Sequence, residues 1–121
     1  MPDLFRNRME GGLNEHLERN ETATGPRLIA CANEMSQPIL ALDVPSGLDV
    51  TTGKAHQPTV RATATLTLAL PKTGLVAKHA ATWVGELYCA DISVPPGLYA
   101  SETLGISCPV LFSQSDIVRI V

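Results

Sequence analysis

Aromatic side chains make up only 4% of the 121 residues, so few rings are available to stack nucleobases, and Val, Ile, Leu and Ala must fill the core. Basic residues are scarce as well. Nine Lys and Arg stand against twelve Asp and Glu, a formal charge of −3, and no basic run is present to neutralise phosphates along a duplex. Nucleic acid is therefore not an expected partner. The three cysteines, Cys31, Cys89 and Cys108, are odd in number and lack CxxC spacing, which argues for reduced, mostly buried thiols rather than a disulfide framework or a zinc site. The longest apolar windows, Pro38 to Leu42 and Ala64 to Leu70, fall far short of the roughly 20 residues that cross a bilayer. With a charged N-terminus in place of an apolar signal segment, these windows lead us to expect a cytoplasmic protein without a membrane partner.

What is present is a globular composition, 45% apolar and 17% charged, in a length suited to one domain that buries roughly two thirds of the unfolded chain's surface. Residues 1–23 are charged, contain Gly11-Gly12 and lack a sustained period, so they read as an irregular leader before a core over 24–121. Thr24 and Pro26 suit a helix start, and Leu28, Ile29, Ala32 and Met35 then share one face until Gln37-Pro38. The continuous apolar run Ile39-Leu40-Ala41-Leu42 predicts a strand buried on both faces, as in a parallel sheet.

A second strand is expected over Ala64–Leu70, a weak helix over Val76–Trp83 and a third strand over Gly85–Ile92, while periodicity leaves Ser115–Val121 open between strand and helix. Asp43-Val44-Pro45-Ser46-Gly47 ends the first strand and Pro71-Lys72-Thr73-Gly74 the second, each with a polar Pro/Gly turn. This order of elements predicts α/β layers with a mainly parallel sheet, whose ligands sit beyond the carboxyl ends of the strands. Asp43 and Lys72 both belong at that end and could converge on one ligand.

Taken alone, each of these side chains has two readings. Asp43 is either an acid/base with a tunable pKa or a cap that accepts N–H bonds from Ser46 or Gly47. Lys72 either orients an anionic group or is a solvated lysine. Ser46 lacks the G-x-S-x-G elbow of a hydrolase nucleophile, whereas its hydroxyl is a hard oxygen suited to a metal cation. His16, His56 and His79 read as surface residues, and Trp83 as a residue of the core or its edge.

The run from Ile39 through Asp43-Val44-Pro45-Ser46-Gly47-Leu48-Asp49 to Thr52-Gly53 closely resembles the D-x-P-S-G-L-D signature of the NAD(P)H-hydrate epimerase family. Ala64–Leu70 followed by Pro71-Lys72-Thr73-Gly74-Leu75 is similar to that family's apolar strand and P-K-x-G-L, and Gly85-Glu86-Leu87 through Ala90-Asp91-Ile92-Ser93-Val94-Pro95 is similar to its G-x-L-x-x-x-D-I-x-x-P. The three motifs stand in the family's order. The resemblance implies a partial Rossmann-like three-layer α/β/α fold, the C-terminal half of the epimerase domain, in a chain that begins in mid-domain.

It also implies an isomerase of nicotinamide nucleotide repair that interconverts the R and S hydrates of NADH and NADPH. Asp43 would contact the hydrated nucleotide, Lys72 would line the same pocket, and Ser46 would help bind a potassium ion. Gly12-Leu13-Asn14-Glu15-His16 resembles the end of the family's substrate loop, while Arg6 falls where an acidic potassium ligand is expected. A functional link to an NAD(P)H-hydrate dehydratase follows from the same resemblance. A chain lacking the first half of its domain would expose a sheet edge and apolar surface, which suggests completion as a homodimer. The alternative is a non-catalytic remnant or interaction module that keeps part of the fold.

Overall fold

The computed structural model describes residues 24–102, 104–105 and 110–121. Helix α1 (Thr24–Glu34) leads into strand β1 (Leu40–Leu42), and a long irregular connection reaches β2 (Ala64–Leu68). Two short helices, α2 (Thr73–Val76) and α3 (Ala81–Val84), flank a 3₁₀ turn at Lys78–Ala80 and lead to β3 (Glu86–Ala90); a single turn, α4 (Pro96–Tyr99), and strand β4 (Ile117–Arg119) complete the described elements. The sheet runs β1-β2-β3-β4. Its first three strands are parallel, and β4 lies antiparallel to β3 with Cys89 opposite Val118. The architecture is thus a partial α/β Rossmann-like fold with a mixed, mostly parallel sheet.

Alternation along β2 and β3 turns Thr65, Thr67, Leu87 and Cys89 toward one face, where all four are fully buried. The short helices and the β1–β2 connection cover that face. Leu48, Leu75, Ala80, Val84 and Leu87 form its apolar core, with Val44, Ala55, Ala77, Trp83 and Ile120 packed around them. Trp83 therefore sits at the core's edge, its ring under the Arg61 guanidinium at 5.4 Å. The expected single helix over Val76–Trp83 is instead broken in three, because Ala77 is extended (ψ 134) and interrupts the ladder between α2 and the 3₁₀ turn.

One expectation fails at β1. Only Ala41 is buried there, while Leu40 is 65% and Leu42 68% exposed, so this strand is not covered on both faces. An apolar run reports the preference of the side chains for a dry environment but not the presence of an element to cover them. Among the described residues nothing covers Leu40 and Leu42 fully, and each leucine would gain about 1–2 kcal/mol on complete burial. The thiols also divide: Cys89 is buried, Cys31 is exposed on α1, and Cys108 lies outside the described residues.

Helix α1 is held by a side chain outside its apolar stripe. Asn33 donates from Nδ2 to the Thr59 carbonyl at 2.8 Å and accepts the Arg61 N–H on Oδ1 at 2.8 Å, so two otherwise unpaired backbone groups of the β1–β2 connection are satisfied by one amide.

Candidate functional site

The parallel strands end side by side, and each of the first two ends in the same unusual way. Asp43 has φ +67, and the Val44 N–H donates across it to the Leu42 carbonyl at 2.9 Å. Ala69, directly after β2, also has φ +67, with the Leu70 N–H donating to the Leu68 carbonyl at 2.8 Å. Both are three-residue γ-turns of the less common, positive-φ form, which is strained for a residue bearing a Cβ. Left-handed backbone at non-glycine residues costs about 1–3 kcal/mol and clusters where side chains must be aimed. Here the turn at Asp43 swings its carboxylate sideways over the end of β2.

Three donors meet the carboxylate there, all on Oδ1. The Lys72 ammonium lies at 2.8 Å, the Thr67 hydroxyl at 3.1 Å and the Leu68 N–H at 3.2 Å. Lys72 is placed in turn by the Thr67 hydroxyl and the Leu68 carbonyl, each accepting at 2.8 Å. Desolvation pushes the Asp43 carboxyl up, but the Lys72 hydrogen bond, the Leu68 N–H, the Lys72 charge and the Thr67 hydroxyl outweigh it and hold the pKa below its ordinary 3.8. The pair is not sealed: the Asp43 side chain is 44% and that of Lys72 30% exposed. A solute can reach the carboxylate.

Of the two readings of Asp43, the structure therefore departs from the cap of its own turn. Its bonds run to the neighbouring strand, and capping falls to Asp49, whose Oδ1 accepts the N–H groups of Thr51 and Thr52, each at 2.8 Å. Those two bonds lower the Asp49 pKa. Lys72 is not simply a solvated lysine: its ammonium is held against the Asp43 carboxylate at 2.8 Å.

The two sequence motifs are locked together through glycines. The Gly74 N–H donates to the Val50 carbonyl at 2.6 Å, and a Cβ on Gly74 would lie 2.5 Å from that oxygen and 2.6 Å from the Asp49 carbonyl oxygen. Gly53, at φ +73, has equally little room, 2.7 Å from the Gly74 carbonyl oxygen. His79 adds a contact from Nε2 to the Thr52 carbonyl at 2.8 Å. This packing presses the loop after β1 onto the turn that carries Lys72.

Ser46 is exposed, and its carbonyl accepts the Val60 N–H at 2.9 Å. It offers one free hydroxyl, whereas cations held by oxygen need a shell of several donors. No group of three or more His, Cys, Asp or Glu suited to a metal occurs among the described residues. Gly12, Leu13, Asn14, Glu15, His16 and Arg6 lie outside the described residues. Beyond the ends of β2 and β3 a cavity of about 600 Å³ opens, bordered by Ala69, Leu70, Asp91, Ser93 and Tyr99. It begins in the turn that leads to Lys72.

Thr67 is the residue that sequence reading passed over. The signal was a hydroxyl on the same face as the buried Thr65 in an otherwise apolar strand, but nothing local tells a hydroxyl aimed at a site from one bonded to nearby backbone.

The family described as YjeF-related protein N-terminus matches residues 12–74, a span that includes both Asp43 and Lys72. A bifunctional NAD(P)H-hydrate repair enzyme Nnr from Moorella thermoacetica is 41% identical over 75 residues, 62% of this chain and 14% of that enzyme. The NAD(P)H-hydrate epimerase of Dehalogenimonas lykanthroporepellens is 43% identical over 77 residues, 64% of this chain and 30% of the relative, and that of Weissella koreensis 40% over 67 residues, covering 55% and 30%. The chain thus spans less than a third of the length of each of these relatives. The match takes in more than half of the 121 residues and both strand-end motifs, and on that basis the chain belongs to the YjeF-related protein N-terminus family.

Proposed function

We propose that this chain carries part of the site of an NAD(P)H-hydrate epimerase, acting on the C6 hydrates of NADH and NADPH. The observation that supports this most directly is the Asp43–Thr67–Lys72 cluster at the ends of two adjacent parallel strands, with Asp43 and Lys72 partly open to solvent above the buried Thr67. In a hydrate, the C6 hydroxyl leaves as water when it receives a proton and the ring nitrogen's lone pair forms the new C–N π bond. The planar cation then takes up water from either face, which returns the proton and completes the epimerisation.

The cluster suits the two halves of this exchange. Asp43, held as a carboxylate, accepts a hydrogen bond from the C6 hydroxyl or from the incoming water, and its charge stabilises the cation. Lys72, 2.8 Å away, holds that carboxylate in place, its three protons directed at Asp43, Thr67 and the Leu68 carbonyl. The proton for the departing hydroxyl then comes from solvent, which reaches the partly exposed pair, and Asp43 keeps the accepting part of the acid/base role expected from sequence. The neighbouring cavity lies on the Ala69–Leu70 side of the cluster and is lined by neither Asp43 nor Lys72. Ser46 belongs to the proposal as one ligand of a potassium ion, and no step is routed through that ion.

The direct test is conversion of purified R hydrate to S hydrate, followed by chromatography, with and without the protein. Acceleration is expected; no acceleration together with no heat on nucleotide titration would leave the non-catalytic remnant as the reading. A link to dehydration is supported by the bifunctional repair enzymes among the relatives. No helix among the described residues is long and apolar enough to cross a membrane, and we propose a cytoplasmic site of action. The exposed Leu40 and Leu42 support self-association as a homodimer. Light scattering should then give twice the chain mass, reverting to one in Leu40→Glu/Leu42→Glu; a monomer at every concentration would exclude it.

The pH dependence has a definite sign. A carboxylate whose folded pKa is depressed adds stability that is fully present above the ordinary value of 3.8 and is lost as pH falls through the lower folded value. Asp43 should therefore cause no loss of activity or stability between pH 7 and about 4. Lys72→Met removes the strongest of the lowering influences, so the acid limb of the rate profile should move up. An unmoved limb would show that Lys72 does not control the ionisation of Asp43.

A further inference from the structure

Thr65 and Thr67 occupy successive core-facing positions of β2, and both are 0% exposed. A buried hydroxyl is costly unless bonded, and valine would fill either position with nearly the same shape and a better fit to a strand. Thr65 meets this cost locally, donating to the Val84 carbonyl at 2.7 Å. Thr67 has no such partner and turns its oxygen to the two charged side chains at the strand end instead.

The direction of these bonds is forced. Lys72 can only donate, so the Thr67 oxygen accepts from it, and the single hydroxyl proton is left for Asp43 Oδ1. Lys72 in turn spends its three protons on Asp43, Thr67 and the Leu68 carbonyl. The hydroxyl therefore closes a ring of three bonds in which every proton has one place.

We infer that Thr67 is a positioning residue that fixes the Lys72 ammonium and the Asp43 carboxylate in one geometry for reaction. It sits beneath the pair, buried, while both charged groups keep exposed surface toward solvent. The inference rests on the epimerase reading for what the pair reacts with, but the ring of bonds is measurable without substrate.

The test compares Thr67→Val, Thr67→Ser and Thr65→Val, with the Asp43 carboxyl carbon followed by NMR across pH. Thr67→Val deletes one donor to the carboxylate, so the Asp43 titration midpoint should rise. Thr67→Ser should restore it, and Thr65→Val, which removes an equally buried hydroxyl, should leave it in place. In the assay of hydrate conversion, Thr67→Val should lower kcat about tenfold and move the acid limb up, with KM changed far less; a merely structural loss would lower the plateau without moving the limb. An Asp43 midpoint unchanged in folded Thr67→Val would overturn the inference whether or not the hydrate is the substrate. Should Thr67→Val fail to fold, the unaltered protein still decides: the Lys72 Nζ resonance should show slow proton exchange, and a freely exchanging ammonium would refute the ring.

Discussion

Replacing Asp43 by Asn should reduce hydrate epimerisation about 10²–10⁴-fold, the usual range for removing a positioned acid/base group, while the fold stays intact. Two features make Asn the informative variant. First, Asn tolerates the left-handed region almost as well as Asp, so the γ-turn at φ +67 survives, whereas Ala would mix a backbone penalty with the chemical one. Second, the amide oxygen can still accept from Lys72, Thr67 and Leu68, the three donors now on Oδ1. What disappears is the negative charge and its capacity to take a proton. Steady-state turnover with a thermal melt alongside it checks both halves; undiminished turnover in the folded variant would remove Asp43 from the chemistry.

The second large effect is structural. Gly74 lies inside α2, where replacing glycine by alanine ordinarily stabilises a helix by about 1 kcal/mol. Packing demands the opposite sign. The new Cβ would lie 2.5 Å from the Val50 carbonyl oxygen and 2.6 Å from that of Asp49, and both are backbone atoms that cannot rotate away. Overpacking of this kind costs about 3 kcal/mol, so propensity loses and Gly74→Ala should lower Tm by about 10–20 °C. Because Lys72 precedes Gly74 by two residues, the Asp43–Lys72 contact should open as well. Gly97→Ala, where an added Cβ meets nothing within 4 Å, is the control. An unshifted Tm in Gly74→Ala would show that the two loops are not pressed together.

Local pattern was most reliable where one side chain or turn decides the outcome. The ends of β1 and β2 were legible because Val44-Pro45 and Pro71 cannot continue a strand, and the placement of Asp43 and Lys72 at a common end followed from parallel topology. The strand bounds were less legible: β2 stops at Leu68 rather than Leu70 because Ala69 turns left-handed, a conformation alanine does not announce. β4 was undecided, since a three-residue strand takes its identity from its partner β3.

The sequence by itself determined the order of the first three strands, the placement of Asp43 and Lys72 at a common strand end, and the pairing of motifs that marks the family. Each of these depends on properties a residue carries with it: a fixed φ, a missing Cβ, an apolar surface. Tertiary structure alone decided that Asp43 reaches across to Lys72 and Thr67 instead of capping its own turn, that Gly53 and Gly74 are required by contact, and that Leu40 and Leu42 lie uncovered. Those outcomes belong to pairs of groups 20 to 30 positions apart in the chain, and such pairs exist only once the backbone has brought their partners together.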